Sequence, residues 1–485
     1  MILLLVLLLV PLGFFLSEGK WRESLLYSVV IGFLQDPLRK ITPEQPAEFV
    51  LLALFGILLS AVVLFVRIGR INLVQMLSGD RTLISTIEMF LALIALQTLN
   101  SALNIDSPLR TAIGIGFYLS PLIALWVGFQ FALRPSDVTR FLSIYSIMAL
   151  LFAFTLLLAF WGYRGPLFEE LSGGVKILIE GLGRYSTGFT GFWRSSEIAS
   201  WHLATASCFI LILGIHRREP WPIALASSLA ITLTVLGTLT GRRKSLTLVA
   251  GFLALFTLFI VWRGDVKLRG NLLTGLSGGL LLLLLFISLG GNPTNEGTLG
   301  AFLNRSGTVW GDISSRLSVV GFSSLQDGLA VGGPLGVGIG AAAQGAASLG
   351  SGAIINSGSA EGGLGKIVLE LGLAGLILFA AVLALLAKAF WRIILQLRYA
   401  PPSYRLLNLG LIAFLAANVV NFTAASQAYG DPFVLGILGL SAGFVLASPV
   451  VIQAHLVAQR QALARFQETA EAEIPFPSPP GVPGP

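Results

Sequence analysis

Long apolar runs separated by short polar segments dominate the chain. They predict membrane spans at about 1–16, 21–34, 47–67, 82–100, 110–133, 138–161, 200–215, 220–240, 245–262, 271–290, 364–387, 403–422 and 431–455. The first run has no basic leading segment and no small-residue cleavage site, so it reads as a retained anchor rather than a signal peptide. The second, Ser24 to Leu34, is short and predicts a tilted or re-entrant segment. Beyond His455 the pattern changes to a short amphipathic helix and then a tail with six prolines in residues 475–485, too poor in apolar residues to pack. The expected organisation is a polytopic all-α membrane domain over 1–455, with about 12–13 transmembrane helices, and a cytoplasmic helix and tail over 456–485.

Composition supports the same picture. The chain is 55% hydrophobic and 11% charged, whereas soluble domains carry roughly 25% charged residues. Such a chain is excluded from the soluble enzymes and from the disordered proteins. A lone cysteine, Cys208, excludes a disulfide framework, and three histidines leave little for a metal site, so no cofactor is expected. The net charge of +7 belongs to membrane-flanking loops, so the expected partner is the lipid bilayer and not nucleic acid.

Lysine and arginine orient the spans. Segment 388–405 carries Lys388, Arg392, Arg398 and Arg405 and is placed in the cytoplasm. Alternation then puts 17–20, 68–81, 134–137, 216–219, 263–270 and the tail inside, and short loops favour this orientation by 18 basic residues to 7. Three of those seven form one outward turn, Gly241-Arg242-Arg243-Lys244-Ser245. Positive charge on the disfavoured side suits an anion site at the membrane boundary; the blander reading is a snorkelling turn.

Two outer loops are long enough to fold. In 162–199, Pro166 to Leu182 has the spacing of an amphipathic surface helix. It leads to Arg194, Glu197 and His202 at a span start, which also fits an interfacial belt of aromatic and polar groups. Loop 291–363 has a helical pattern near Trp310 to Leu329 and then 12 glycines in residues 332–365. That composition predicts a flexible cover, or a backbone surface whose N–H groups meet anions, and no packed core. Gly336-Val337-Gly338-Ile339-Gly340 lacks the lysine and the strand–helix setting of a nucleotide site.

An ordered set of motifs carries a resemblance. Arg316 is followed by Gly333-Pro334-Leu335-Gly336-Val337-Gly338-Ile339-Gly340 and then by Glu370-Leu371-Gly372-Leu373-Ala374-Gly375 at a span start. Together with the Arg242 turn, this order resembles the bacterial O-antigen ligase and polymerase family, and the run Gly32 to Lys40 resembles its cyanobacterial members. The resemblance implies a C-type glycosyltransferase-like membrane fold in the bacterial inner membrane, with a periplasmic active face. It implies a metal-independent inverting transfer from an undecaprenyl diphosphate-linked oligosaccharide, with a chain-length regulator as a further partner. Ligases of the family usually place a histidine between the glycine-rich turn and the Glu-x-Gly span. Here that interval holds Asn356, Ser357, Ser359 and Glu361 and no histidine, so a polymerase is the expected activity. Ligase-type transfer to a separate acceptor and a non-enzymatic carrier are the alternatives.

The residues support that chemistry in outline. Arginine binds phosphate oxygens bidentately and stays charged, so Arg242, Arg243, Arg316, Arg305, Lys244 and Arg194 are the candidates for the donor diphosphate. The acceptor hydroxyl needs a base, for which Glu361, Glu197 and His202 are the candidates. Glu361 also fits a partner of Lys366, and Glu370 an anchor of its span against an outer-loop arginine.

Overall fold

The computed structural model describes residues 2–263 except 70–72, 78, 106–107, 172–175 and 180–183, residues 323–342, residues 362–472 except 425–426, and the single positions 270, 300 and 302. The helices are α1 (Ile2–Ser17), α2 (Trp21–Ile41), α3 (Leu52–Ile68), α4 (Arg81–Asn104), α5 (Pro108–Ala132), α6 (Pro135–Phe160), α7 (Ser196–Arg217), α8 (Pro220–Thr238) and α9 (Lys244–Arg263). They continue as α10 (Ser324–Gly332), α11 (Gly363–Gln396), α12 (Pro402–Ala424), α13 (Pro432–Leu446) and α14 (Ser448–Ala472). Five of them begin on proline, whose missing N–H costs nothing in a first turn. Asp80, Ser195 and Asp431 cap α4, α7 and α13 through their side chains.

Among the described residues, ten helices are long and apolar enough to cross a membrane. They match ten of the thirteen predicted spans. Of the other three, 1–16 falls on α1, which has 16 residues. Segment 21–34 falls on α2, whose 21 residues run on to Ile41 through Gln35, Asp36 and Lys40. Segment 271–290 lies outside the described residues. The expected boundary at 455 falls inside α14.

Ion pairs and hydrogen bonds sort the helix ends into two layers. At one end Arg22 of α2 pairs with Asp137 of α6. At the same end Arg392 of α11 reaches Asp80 before α4 at 3.0 Å, and His216 of α7 lies 3.0 Å from the Ser403 carbonyl of α12. Trp262 of α9 stacks there on Trp391 of α11. The segments 17–20, 68–81, 134–137, 216–219 and 388–405 therefore share one end of the bundle, as alternation requires. The opposite, Arg242 end, gathers the end of α2 and the starts of α7, α9, α11 and α13.

Close backbone approach sets two contacts. Gly439-Leu440-Ser441-Ala442-Gly443 on α13 is a small-xxx-small stripe, and a side chain at either glycine would strike the α5 backbone at Pro121 or Leu125. On its α5 side, Gly128 meets Leu440 in the same way. The second contact is a break in α11 at Gly372, whose φ of 71° suits only glycine without strain. The break strips Leu369 and Glu370 of helical partners for their carbonyls. Val337 N–H donates to Leu369 O at 2.8 Å, Gly338 N–H to Glu370 O at 3.2 Å, and Leu373 N–H to Pro334 O at 3.0 Å. The segment after the break, Leu373–Gln396, spans about 36 Å, enough for a hydrocarbon core of about 30 Å.

Two expectations are corrected. The described residues of 166–182 do not form the expected helix. A 3-10 turn occupies Pro166–Phe168, and β1 (Lys176–Ile179) pairs antiparallel with β2 (Arg184–Thr187), Lys176 opposite Thr187 and Ile179 opposite Arg184. Gly165-Pro166 and Gly173-Gly174 interrupt the helical period, and Ile177 and Ile179 favour strand. Of the glycine-rich stretch 332–365, residues 343–361 lie outside the described residues, and the turn over 333–342 is packed rather than flexible. Ile339 is fully buried, Gln97 and Asn100 of α4 donate to Leu335 O and Gly336 O, and Ser101 donates to Ile339 O. Its N–H groups at Val337, Gly338 and Ile339 serve protein carbonyls, not anions.

Replacing Gly443 with valine should force α5 and α13 apart. The expected cost is about 1–3 kcal/mol, read as a lower thermal midpoint in detergent. An unchanged midpoint would show that the two helices do not meet through Gly443.

Candidate functional site

Three charged clusters sit at the Arg242 end of the bundle. The first is built on the turn between α8 and α9. Gly241, at φ 70°, turns the chain, and Thr240 Oγ1 accepts from Arg242 N–H at 3.3 Å. Arg242 Nε then donates to Ser196 Oγ at 3.1 Å, and its Nη1 pairs with Glu197. Lys244 Nζ lies 3.4 Å from both Glu197 oxygens and 3.3 Å from Gln427 Oε1. Arg243 is half-buried in the same turn. The turn thus presents two cations to one carboxylate on the first turn of α7.

Glu170 joins this cluster from the loop. Its Oε1 accepts from Ser196 N–H at 3.0 Å and Ser196 Oγ at 2.9 Å, so a carboxylate sits at the positive end of α7. Its Oε2 is buried without a hydrogen-bond partner. Burial raises the Glu170 carboxyl above the usual range, against the lowering effect of the Ser196 bonds and the Arg242 and Lys40 charges. The same loop is pinned twice more. Leu171 N–H donates to Arg194 O at 2.9 Å, and Lys40 Nζ donates to Leu167 O at 3.0 Å and Gly191 O at 2.9 Å.

The second cluster is built on Arg194, another of the expected diphosphate candidates. Its Nη1 and its backbone N–H each reach Asp36 at 3.1 Å, and its Nη2 reaches Asp431 at 2.6 Å. Both carboxylates are buried, Asp431 completely. Burial would lower the guanidinium, but the Asp431 and Asp36 charges outweigh it and hold Arg194 above its ordinary value. With Nη1 and Nη2 each on a buried carboxylate, Arg194 joins α2 to α13.

His202 is likewise enclosed. Its Nδ1 shares a 2.6 Å hydrogen bond with the Tyr145 hydroxyl. Trp193 stacks parallel to its ring, and Phe33, Trp201 and Phe433 lie at centroid distances of 5.0, 5.2 and 5.3 Å. At 2% exposure it is a satisfied interior histidine, and the role of base does not fit it.

The third cluster shows the partners of Glu370 among the described residues. Its Oε1 accepts from Lys366 Nζ at 3.1 Å and Ala342 N–H at 2.9 Å, and its Oε2 from the Tyr118 hydroxyl at 2.7 Å; the outer-loop Arg305 and Arg316 lie outside the described residues. Lys366 therefore pairs with Glu370, one turn away on α11. This fully buried cluster clamps the glycine-rich turn onto α5 and α11, and Glu370 anchors its span.

Of the expected site residues, the structure brings Glu197, Arg242, Arg243 and Lys244 together. Glu361, Arg305 and Arg316 lie outside the described residues. Sequence reasoning passed over Asp36, Lys40, Glu170 and Asp431. The signal for three of them was an isolated charge beside apolar runs, in Gln35-Asp36-Pro37, Arg39-Lys40 and Asp431-Pro432. Glu170 was hidden by the apparent helix.

Arg194→Met should strand two buried carboxylates and cost about 3–5 kcal/mol, read as loss of monodisperse protein on mild heating. Adding Asp36→Asn and Asp431→Asn should restore part of it; a heat-stable single variant would contradict the triad. For Glu170 the docked loop holds the proton more tightly than the free loop, because its carboxyl is raised on docking. Docking is therefore strongest in acid and weakens as pH rises through that raised titration. Hydrogen exchange at the Leu171 amide, corrected for its intrinsic rate, should lose protection over that window in the wild type and stay level in Glu170→Gln. Equal pH dependence in both would exclude Glu170 as the source.

A scan against protein-family models finds no match for this chain, and no curated protein matches it.

Proposed function

We propose that the protein is a polysaccharide polymerase-like glycosyltransferase that joins undecaprenyl diphosphate-linked repeat units, without a metal, at the Arg242 end of the bundle. The observation that carries this reading is the pairing of Arg242 and Lys244 with Glu197 at one end of the bundle. Two fixed cations suit a lipid diphosphate leaving group, whose charge grows as the sugar–oxygen bond breaks. Without substrate, Glu197 neutralises both. An arriving diphosphate competes for them and frees Glu197, which then takes the proton of the attacking hydroxyl. Attack on the sugar carbon forms one glycosidic bond, breaks one carbon–oxygen bond to phosphate and inverts the centre in a single step. The periplasm is the side on which such donors are presented, so this reading places the Arg242 end there.

One feature supports a second reading. Helix α11 is broken at Gly372 beside the buried Lys366–Glu370 pair, and carriers build midplane sites on broken helices. In this chain the freed backbone groups are bonded to the glycine-rich turn, and the break lies toward the Arg242 end of α11, which favours the enzyme.

Purified protein in lipid, given lipid-linked repeat units extracted from the source cells, should yield a ladder of higher multiples on a gel. Arg242→Ala should slow its formation by about 10²-fold or more while the protein stays folded. No ladder from folded wild type with intact donor would sink the polymerase. Transfer to an added acceptor would then mark a ligase, and solute flux without a new bond would mark a carrier.

A further inference from the structure

The cation turn faces a second carboxylate besides Glu197, and the two are mounted differently. Glu197 stands on the first turn of α7, where the helix fixes it. Glu170 comes from the loop before that helix. Its Oε1 lies 3.0 Å from Ser196 N and 2.9 Å from Ser196 Oγ. The same hydroxyl accepts from Arg242 Nε at 3.1 Å. A helix N-terminal N–H and a fully buried hydroxyl thus meet at one carboxylate oxygen, and a guanidinium stands one hydrogen bond behind them. Amide, hydroxyl and guanidinium are the groups that bind phosphate oxygens.

Glu170 satisfies only half of its own charge there. Its Oε2 is buried without a hydrogen-bond partner, and a carboxylate taken from water needs donors on both oxygens. Burial accordingly raises the Glu170 carboxyl in spite of the Ser196 bonds and the Arg242 and Lys40 charges. A phosphate group spreads its charge over more oxygens, so one can take the Ser196 donors while another reaches Arg242. The loop backbone is held on either side of this side chain, by Lys40 Nζ on Leu167 O at 3.0 Å and by Leu171 N–H on Arg194 O at 2.9 Å. Glu170 can therefore rotate away while the loop stays docked.

We propose that Glu170 is a built-in occupant of a phosphate seat made by the Ser196 N–H, the Ser196 hydroxyl and Arg242, and that it yields this seat to one phosphate of an arriving diphosphate. Glu170 is then an autoinhibitory contact: it leaves, while Glu197 keeps its place on the helix and loses only its cations. The inference rests on the reading of Arg242 as a diphosphate-binding residue, and it is tested by binding alone.

The test uses full-length protein in lipid nanodiscs and calorimetry, with inorganic diphosphate and geranyl diphosphate as probes. Glu170→Ala should bind inorganic diphosphate about tenfold more tightly than wild type, as expected when an occupant present about nine-tenths of the time is removed. Glu169→Ala removes an exposed charge next to it in the chain and should change the affinity by less than about twofold. Ser196→Ala in the Glu170→Ala background should weaken binding again by about threefold or more. Glu170→Gln keeps the size and loses the charge; it should tighten binding by about threefold and decides the matter if the alanine variant does not fold. Tightening for geranyl diphosphate as well assigns the seat to a lipid diphosphate, and tightening confined to the inorganic probe assigns it to a free anion. Glu170→Ala that binds as wild type does, or that like wild type binds no diphosphate, would overturn the seat. So would Glu169→Ala that tightens binding equally, since the effect would then be one of charge at a distance. Tighter binding in Glu170→Ala with no transfer in the ladder assay would remove the enzyme and leave the seat; a ladder with unchanged binding would do the reverse.

Discussion

One guanidinium between two buried carboxylates sets the architecture of the Arg242 end. In lipid an unpaired charge has no water to turn to, so Asp36, Arg194 and Asp431 are held in one another's reach by the cost of separation. The three residues come from α2, the loop before α7 and the cap of α13. Closing them therefore fixes where α7 begins. Ser195 caps that helix one residue later, and Ser196 and Glu197 follow in its first turn. The geometry of the cation turn depends on this: Arg242 and Lys244 can share Glu197 only because α7 starts at that depth. The Lys40 contacts to Leu167 and Gly191 close the same layer from the loop side.

The remaining charge at this end is arranged by the same rule with different consequences. Glu370, Lys366 and Tyr118 form a closed set in which every partner is taken, and that set holds the glycine-rich turn against the α11 break. The Arg242 group is not closed. It is more exposed than the Arg194 triad, and two oxygens at its edge, Glu170 Oε2 and Ser200 Oγ, lack hydrogen-bond partners, whereas Asp431 Oδ2 in the triad, also without a hydrogen bond, keeps its ion pair with Arg194. Fully satisfied polar clusters rigidify a fold, whereas open ones leave capacity for a ligand. That contrast, more than the count of positive residues, separates the candidate site from the structural charges around it.

Much of the fold was legible along the chain. Ten apolar runs became ten membrane-length helices because hydrocarbon imposes length and backbone satisfaction on any segment that crosses it. The position of the Gly241–Ser245 turn at the end opposite 388–405 also followed from alternation. Local pattern failed where glycine was involved. Pro166 to Leu182 has helical spacing, but spacing says nothing about the glycines that interrupt it. The turn over 333–342 has the composition of a loose loop and is packed, because glycine lets a backbone lie directly against another backbone and use its own N–H groups there.

The sequence by itself determined the class of protein, the number and rough limits of most spans, which loops share an end, and that Arg242, Lys244 and Glu197 were residues to watch. These follow from one-dimensional properties: run length, charge placement and alternation. Only the tertiary structure decided which charges are spent and which are available. Arg194 and His202 look as suited to chemistry as Arg242 and Glu197 when read in order, since each stands in a polar patch at a span start. Their difference lies in partners 57 to 237 positions away along the chain, Tyr145 for His202 and Asp36 and Asp431 for Arg194. No local pattern encodes such pairings, because they are set by which helices become neighbours when the bundle closes.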